Sequence, residues 1–318
     1  MARRESIQYE MKKSALEGIT DRDTQKLYKK GIDRFKGYMS EIGLKASEVR
    51  ADRVAAVQSF EKYLENEGKS PHTIHAYIAP VCKGLGVRMS EIDKPVRTAR
   101  SITKGRIDDA NTQGRREADL EKYERVVSFQ KAVGIRRSEL TTLKASDICR
   151  TASGNVYVHV RHGKGGKEQY QYVLPMDRDA VLSALNGSQS NSKLFSDKEL
   201  NNKIDLHSMR AVQAQRAYGY YADRIQAEPS FKVECIKKML AYFDRMNTHD
   251  KRYEARLKAF KDDISRDDFT YRLRGDNAQK ARELGLPLVY DRVALSMVSV
   301  FHLAHWRNDV TVKDYIVR

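Results

Sequence analysis

Apolar residues recur with helical spacing through the first ninety residues of the chain. In DTQKLYKKGIDRFKGYMSEIG, Leu27, Ile32, Phe35 and Tyr38 fall near one face, and RVAAVQSFEKYLENEG repeats the arrangement with Val54, Val57, Phe60 and Leu64. One-sided spacing of this kind predicts amphipathic helices, and the glycines that follow each stretch predict where they stop. In KSPHTIHAYIAPV, Ser70 is suited to the N-cap, Pro71 to the first helical position, and Ile74 and Tyr77 to a core. Residues 1–95 therefore read as an all-helical domain.

The pattern lapses between Pro95 and Asp108. VRTARSITKGRI carries Arg97, Arg100, Lys104 and Arg106 with no acidic residue and no apolar period, which makes 96–108 a basic linker. Beyond it, EADLEKYERVVSFQKAVGIRRSELTTLKASDI reads as helices broken at Gly134. NVYVHVRHGKGGKEQYQYVLP then reads as two strands around a turn supplied by Gly163, Gly165 and Gly166, with Pro175 ending the second strand. Helical spacing resumes afterwards. In FKVECIKKMLAYFDRM it places Val233, Ile236, Leu240 and Phe243 on one face. The expected fold class is mostly α with a small antiparallel β-sheet, an α+β arrangement in which residues 109–318 form the second domain.

Length and charge sharpen this picture. A chain of 318 residues can bury two cores of ordinary size. Lys and Arg outnumber Asp and Glu by 59 to 43, a formal charge of +16, and the excess is spread along the chain, as in a folded protein that binds a polyanion. Cys82, Cys149 and Cys235 are far apart, with no CxxC spacing, so neither a disulfide framework nor a zinc ribbon is suggested. The histidine pairs His72/His75, His159/His162 and His302/His305 lack a third ligand at suitable spacing. No metal or other cofactor is expected. The first residues lack the apolar stretch of a signal peptide, and no run approaches membrane-spanning length; a cytoplasmic protein without a membrane partner is the expectation.

Several short motifs bear on chemistry, and each by itself has an ordinary structural explanation. Lys164 and Lys167 sit on the glycine-rich turn HGKGGKE, where a lysine could reach a groove and donate a proton, or merely be solvated. In GIRRSEL, Arg136 precedes Glu139 at ion-pair spacing. His207 and Arg210 lie three apart in DLHSMR, hence on one helical face. His305 and Tyr315 close the chain in HLAHWRNDVTVKDYIVR. Phosphodiester transfer needs cations at the nonbridging oxygens, a donor for the leaving oxygen and an acceptor for the nucleophile's proton. Arginine forks suit the first task.

In the order Arg136, Lys164, His207 with Arg210, His305 and Tyr315, the phrases GIRRSEL, HGKGGKEQYQYVLP, LHSMR and LAHWRNDVTVKDY resemble the tyrosine recombinases, the phage-integrase-like site-specific DNA recombinases. KSPHTIHAYIAPV is similar to their N-terminal core-binding domain. The resemblance implies that Tyr315 attacks a scissile phosphate to give a 3′-phosphotyrosyl link, aided by arginines because an ordinary phenol ionises only near a pKa of about 10. Arg136 and Arg210 would clamp the nonbridging oxygens, Lys164 would protonate the leaving 5′-oxygen, His207 would assist proton transfer or orient the phosphate, and His305 would donate a hydrogen bond. It further implies a C-shaped clamp on double-stranded attachment sites, a synaptic homotetramer that is otherwise monomer or dimer, and an accessory DNA-bending protein, as in DNA integration by a bacterial mobile element. Such an enzyme would associate with the nucleoid when bound to DNA.

Lys69, Ser70, Arg97, Arg100, Lys104, Arg106, Lys167, Arg272 and Arg274 are the expected DNA contacts. Two other readings use the same residues: a type IB topoisomerase-like enzyme, which the compact N-terminal domain disfavours, and a non-cleaving DNA-binding regulator, which the full set of reactive residue types disfavours. The chain departs from the family pattern in two places. About ninety residues separate Arg210 from His305, so 219–287 reads as an insertion, either packed on the catalytic domain or contacting DNA or a second protomer. Only Ile316, Val317 and Arg318 follow Tyr315, which leaves cleavage in cis or in trans open.

Overall fold

The computed structural model describes residues 6–98, 117–164, 168–202, 204–245, 251–265 and 269–317. The expectations for Arg100, Lys104, Arg106 and Lys167 lie outside the described residues. The chain divides into two compact units, Met1–Lys104 and Gly105–Arg318. Its fold class is as expected, mostly α with small antiparallel sheets.

The first unit holds α1 (Ile7–Leu16), α2 (Arg22–Glu41), α3 (Ala46–Ala51), α4 (Arg53–Asn66) and α5 (Pro71–Leu85). Side-chain oxygens of Ser6, Asp21, Asp52 and Ser70 accept from backbone amides in the first turns of α1, α2, α4 and α5, offsetting donors that a helix start would otherwise leave unpaired. Ile32, Phe35, Tyr38, Val57, Phe60, Leu64 and Ile74 are buried in one core. Phe35 and Phe60 meet edge to face at 5.2 Å, a geometry worth about 1 kcal/mol beyond area burial. Leu27 and Val54 instead face solvent, because the apolar stripe each was assigned to is narrower than the spacing alone indicated. Gly31 lets α2 approach α5 closely: a Cβ there would stand 2.4 Å from Pro80 Cγ.

The second unit has a helical turn over 117–122, then α6 (Glu124–Val133) and α7 (Arg137–Leu140). A three-stranded antiparallel sheet follows, β1 (Ile148–Arg150), β2 (Val156–Val160) and β3 (Gln169–Tyr172). The sequence reading missed β1, whose three residues are too few to show alternation; its register pairs Cys149 with Tyr157. Then come α8 (Arg178–Ser183), α9 (Asp197–Leu200), α10 (Leu206–Ala227), α11 (Pro229–Arg245) and α12 (Lys251–Ile264). A second, unexpected sheet joins β4 (Thr270–Arg272) to β5 (Val289–Asp291) around α13 (Gly275–Glu283). The chain closes with α14 (Arg292–Phe301), α15 (Asn308–Thr311) and a π-turn over Val312–Ile316.

The expected boundary at Gly219 falls inside α10, which runs unbroken to Ala227. The segment that follows is part of the core: Phe231, Cys235, Met239, Phe243, Phe260 and Ile264 are buried together with Val298, Phe301 and Trp306. On α11 the buried face is Phe231, Cys235, Met239 and Phe243, and Val233 faces solvent. The true stripe is thus rotated from the expected one, because a cysteine and a methionine complete it. Among the described residues, no helix is long and apolar enough to cross a membrane.

Candidate active site

The site is assembled around α10. Gly134 ends α6 in the left-handed region at φ 67°, and this turn aims its carbonyl at Arg210. Gln130 holds the turn by donating from Nε2 to the carbonyls of Ile135 and Leu206, each at 2.8 Å. Arg210 is completely buried, with Nη1 donating to Gly134 O and Nη2 to Leu303 O at 2.8 Å. Its Nε has no hydrogen-bond partner among the described residues. Burial pulls its pKa down, Tyr315 opposes that shift, and the nearby Arg136 adds to it.

Arg136 stands at the N-cap of α7, where Glu139 accepts from its backbone N at 2.8 Å and from Nη1 at 2.7 Å. Glu139 is buried and Arg136 is 24% exposed, so the carboxylate orients the guanidinium and leaves part of its fork toward solvent. Neighbouring Arg137 has a different task, donating to the carbonyls of Leu200 and Ile204 at 2.7 Å. That contrast separates two arginines adjacent in GIRRSEL.

Tyr315 lies in the π-turn and is 7% exposed. The Arg210 guanidinium lies 5.6 Å from its ring centre, and the rings of His207 and His305 lie at 6.0 and 5.8 Å. His207 occupies the first turn of α10, whose start is capped by Asp205 accepting from Ser208 N at 3.0 Å.

His305 sits in a strained loop. Ala304 and Trp306 on either side both adopt positive φ, 50° and 52°, a region that costs a residue with a Cβ roughly 1–2 kcal/mol. Ser299 fastens the loop, its hydroxyl oxygen accepting from Arg307 N at 2.6 Å and its hydroxyl facing His305 Nδ1 at 3.5 Å. With the Ser299 hydroxyl donating to Nδ1, the ring proton would sit on Nε2, and Nε2 has no hydrogen-bond partner among the described residues. Burial first, then Arg210 and Arg136, push the His305 pKa down to about 3, so the imidazole is neutral at pH 7.

Five of the six residues expected to carry the chemistry, Arg136, His207, Arg210, His305 and Tyr315, are thus brought together from α6–α7, α10 and the C-terminal segment. Lys164 is exposed on the turn after β2, and no described contact joins it to the five. Of the expected DNA contacts, Ser70 caps α5 through Thr73 N, while Lys69, Arg97, Arg272 and Arg274 are exposed. His72 and His75 direct Nε2 at the carbonyls of Thr98 and Pro95, at 3.4 and 3.0 Å. Among the described residues, no group of three or more His, Cys, Asp or Glu is placed to hold a metal ion.

Sequence reasoning missed a supporting layer. His302, fully buried, receives Gln213 Nε2 at Nδ1 (2.9 Å) and meets the Tyr221 hydroxyl at Nε2 (3.1 Å). Burial and Arg210 push its pKa down to about 3. This network ties the His305 loop to the helix that carries His207 and Arg210. Gln213 and Tyr221 lie two turns apart on α10, a spacing legible only once His302 is known to face it.

No family model and no curated protein matches the chain. Against solved structures, it aligns with the XerA recombinase over 68% of this chain and 84% of that one, at 18% identity and a TM-score of 0.25. So loose a superposition carries no argument about fold or function.

Proposed function

We propose that the chain is a site-specific DNA recombinase of the tyrosine class, cleaving and rejoining strands through a phosphotyrosyl intermediate. One observation carries the reading: two buried nitrogens without partners among the described residues, Arg210 Nε and His305 Nε2, accompany a buried phenol with a second arginine nearby. Buried polar groups are normally satisfied, and a phosphate oxygen would satisfy both. Arg210 is held by neutral carbonyls, so its positive charge is left for an anion. Arg136, paired with Glu139, adds a second fork from the solvent side.

In this reading the Tyr315 oxygen attacks phosphorus as the bond to the 5′-oxygen breaks, leaving a 3′-phosphotyrosyl ester and a 5′-hydroxyl. Arg136 and Arg210 stabilise the charge that builds on the nonbridging oxygens. His305, neutral, acts as a hydrogen-bond donor and not as an acid. His207, exposed with its ring 6.0 Å from that of Tyr315, would take the phenolic proton or orient the phosphate, and Lys164, on its turn, would deliver the proton that the 5′-oxygen gains. Religation reverses these steps and conserves the bond energy. The basic exposed residues Lys69, Arg97, Arg272 and Arg274 would hold the duplex, giving an affinity that falls steeply with salt.

The test is covalent trapping. The protein is mixed with a pool of nicked duplexes, quenched with detergent, and the DNA that remains attached is sequenced. Adducts present with wild type and absent with Tyr315→Phe are expected. Tight, salt-sensitive binding with no adduct would instead favour the non-cleaving regulator.

A further inference from the structure

The turn that carries Tyr315 is shared between two separate cores. Tyr315 itself packs with α10, α11 and α14 in the main core of the second unit. Its neighbours Val312, Ile316 and Val317 turn the other way, into a smaller core with Leu273, Ala278, Ala281, Tyr290 and Leu295. Leu273 directly follows β4, Ala278 and Ala281 lie on α13, and Tyr290 lies on β5. A five-residue π-turn has little stability of its own, so what packs around it, α10 on one side and this smaller core on the other, sets where the tyrosine stands.

That outer side is firmly tied to the rest of the site. Tyr218 on α10 meets Tyr290 edge to face at 5.4 Å, and its hydroxyl accepts from Asp291 N at 3.0 Å. Asp291 in turn caps α14 by accepting from Ala294 N at 2.9 Å, and pairs with Lys232 of α11 at 3.0 Å. Gln215, also on α10, donates to the Ile316 carbonyl at 3.2 Å. The two small sheet strands and α13 therefore connect the helix bearing Arg210, the helix leading to His305 and the turn bearing Tyr315.

We propose that the β4–α13–β5 module is the seat of the nucleophile: its apolar face, which includes Leu273, sets the position of Tyr315 through Val312, Ile316 and Val317. The proposal rests on the reading of Tyr315 as nucleophile. It gives this part of the long segment between Arg210 and His305 a task in the reaction, and makes Leu273 a positioning residue that touches neither DNA nor the reacting atoms. In-line attack tolerates little displacement, and an error of about 1 Å costs about a hundredfold in rate. Shrinking the seat should therefore slow cleavage much more than it weakens binding.

The experiment measures the rate of covalent adduct formation at saturating nicked-duplex pool, the half-saturating DNA concentration, and the emission of Trp306, the only tryptophan, as a check that the second unit is folded. For Leu273→Ala the expected result is a rate lowered at least about tenfold, with DNA affinity and Trp306 emission as in wild type. Leu273→Met, which refills the volume, should restore the rate. If Leu273→Ala loses the native Trp306 emission, the milder Leu273→Val decides by the same three readouts. A folded variant cleaving at the wild-type rate, or losing rate only in proportion to DNA affinity, would overturn the proposal while leaving Tyr315 as nucleophile. A wild-type protein that forms no Tyr315-dependent adduct would overturn the underlying reading, and this proposal with it.

Discussion

The buried imidazole of His302 makes the second unit sensitive to acid, and the size of the effect can be worked out. In the folded chain its pKa is pushed from 6.5 down to about 3, so between those values the unfolded chain binds a proton that the folded chain refuses. Stability from this group is complete above pH 6.5 and is lost progressively as pH falls toward 3. Over the 1.5 units from 6.5 to pH 5, at about 1.36 kcal/mol per unit, the loss is about 2 kcal/mol. His302→Gln removes the titration. It also disturbs the bonds to Gln213 and Tyr221, and should lower stability at pH 7.5 by about 1–3 kcal/mol. The decisive quantity is the change in the wild-type-to-variant gap, which should shrink by about 2 kcal/mol between pH 7.5 and pH 5. Urea unfolding followed by Trp306 emission reads this unit selectively, because Trp306 is buried against Tyr242 and Phe243. A gap that stays constant or widens as pH falls would refute the argument, since His302 would then be no harder to protonate folded than unfolded.

Further outcomes follow from the same geometry. Arg210→Lys keeps the charge but loses the fork between Gly134 O and Leu303 O, and should lower adduct formation about 10²–10³-fold with DNA affinity changed only a few-fold in a filter-binding assay. Gly134→Ala puts a Cβ at φ 67° and 3.2 Å from Gln213 Cβ, so urea unfolding should show a loss of about 1–3 kcal/mol. Ala304→Gly relieves the positive φ beside His305 and should raise stability by up to about 1 kcal/mol in the same assay; a loss would show that this backbone is unstrained. In the first unit, Gly31→Ala drives a Cβ into Pro80 and should cost about 1–3 kcal/mol, seen by circular dichroism while the Trp306 transition stays in place.

What the chain order alone determined was the longer helices, the β2–β3 hairpin and the inventory of reactive groups. Helical spacing with Ser70 and Pro71 at one start, and Gly134 at one end, specifies local structure through contacts within a few residues, so it is readable without the rest of the chain. The residue types suited to phosphoryl transfer were likewise visible as Arg136, Lys164, His207, Arg210, His305 and Tyr315. Short elements were not: β1, β4 and β5 have three residues each, and their pairing is decided by partners remote in sequence. Tertiary structure also decided which of two adjacent arginines faces the site, because Arg137 is occupied by the carbonyls of Leu200 and Ile204. It decided that α10 continues past Gly219 and that α11 completes the core. It decided, finally, that Arg210 is fully buried and His305 half-buried, each with a buried nitrogen lacking a partner among the described residues. Burial depends on what packs around a residue from every side, and those neighbours come from across the second unit, so no local pattern in the sequence records it.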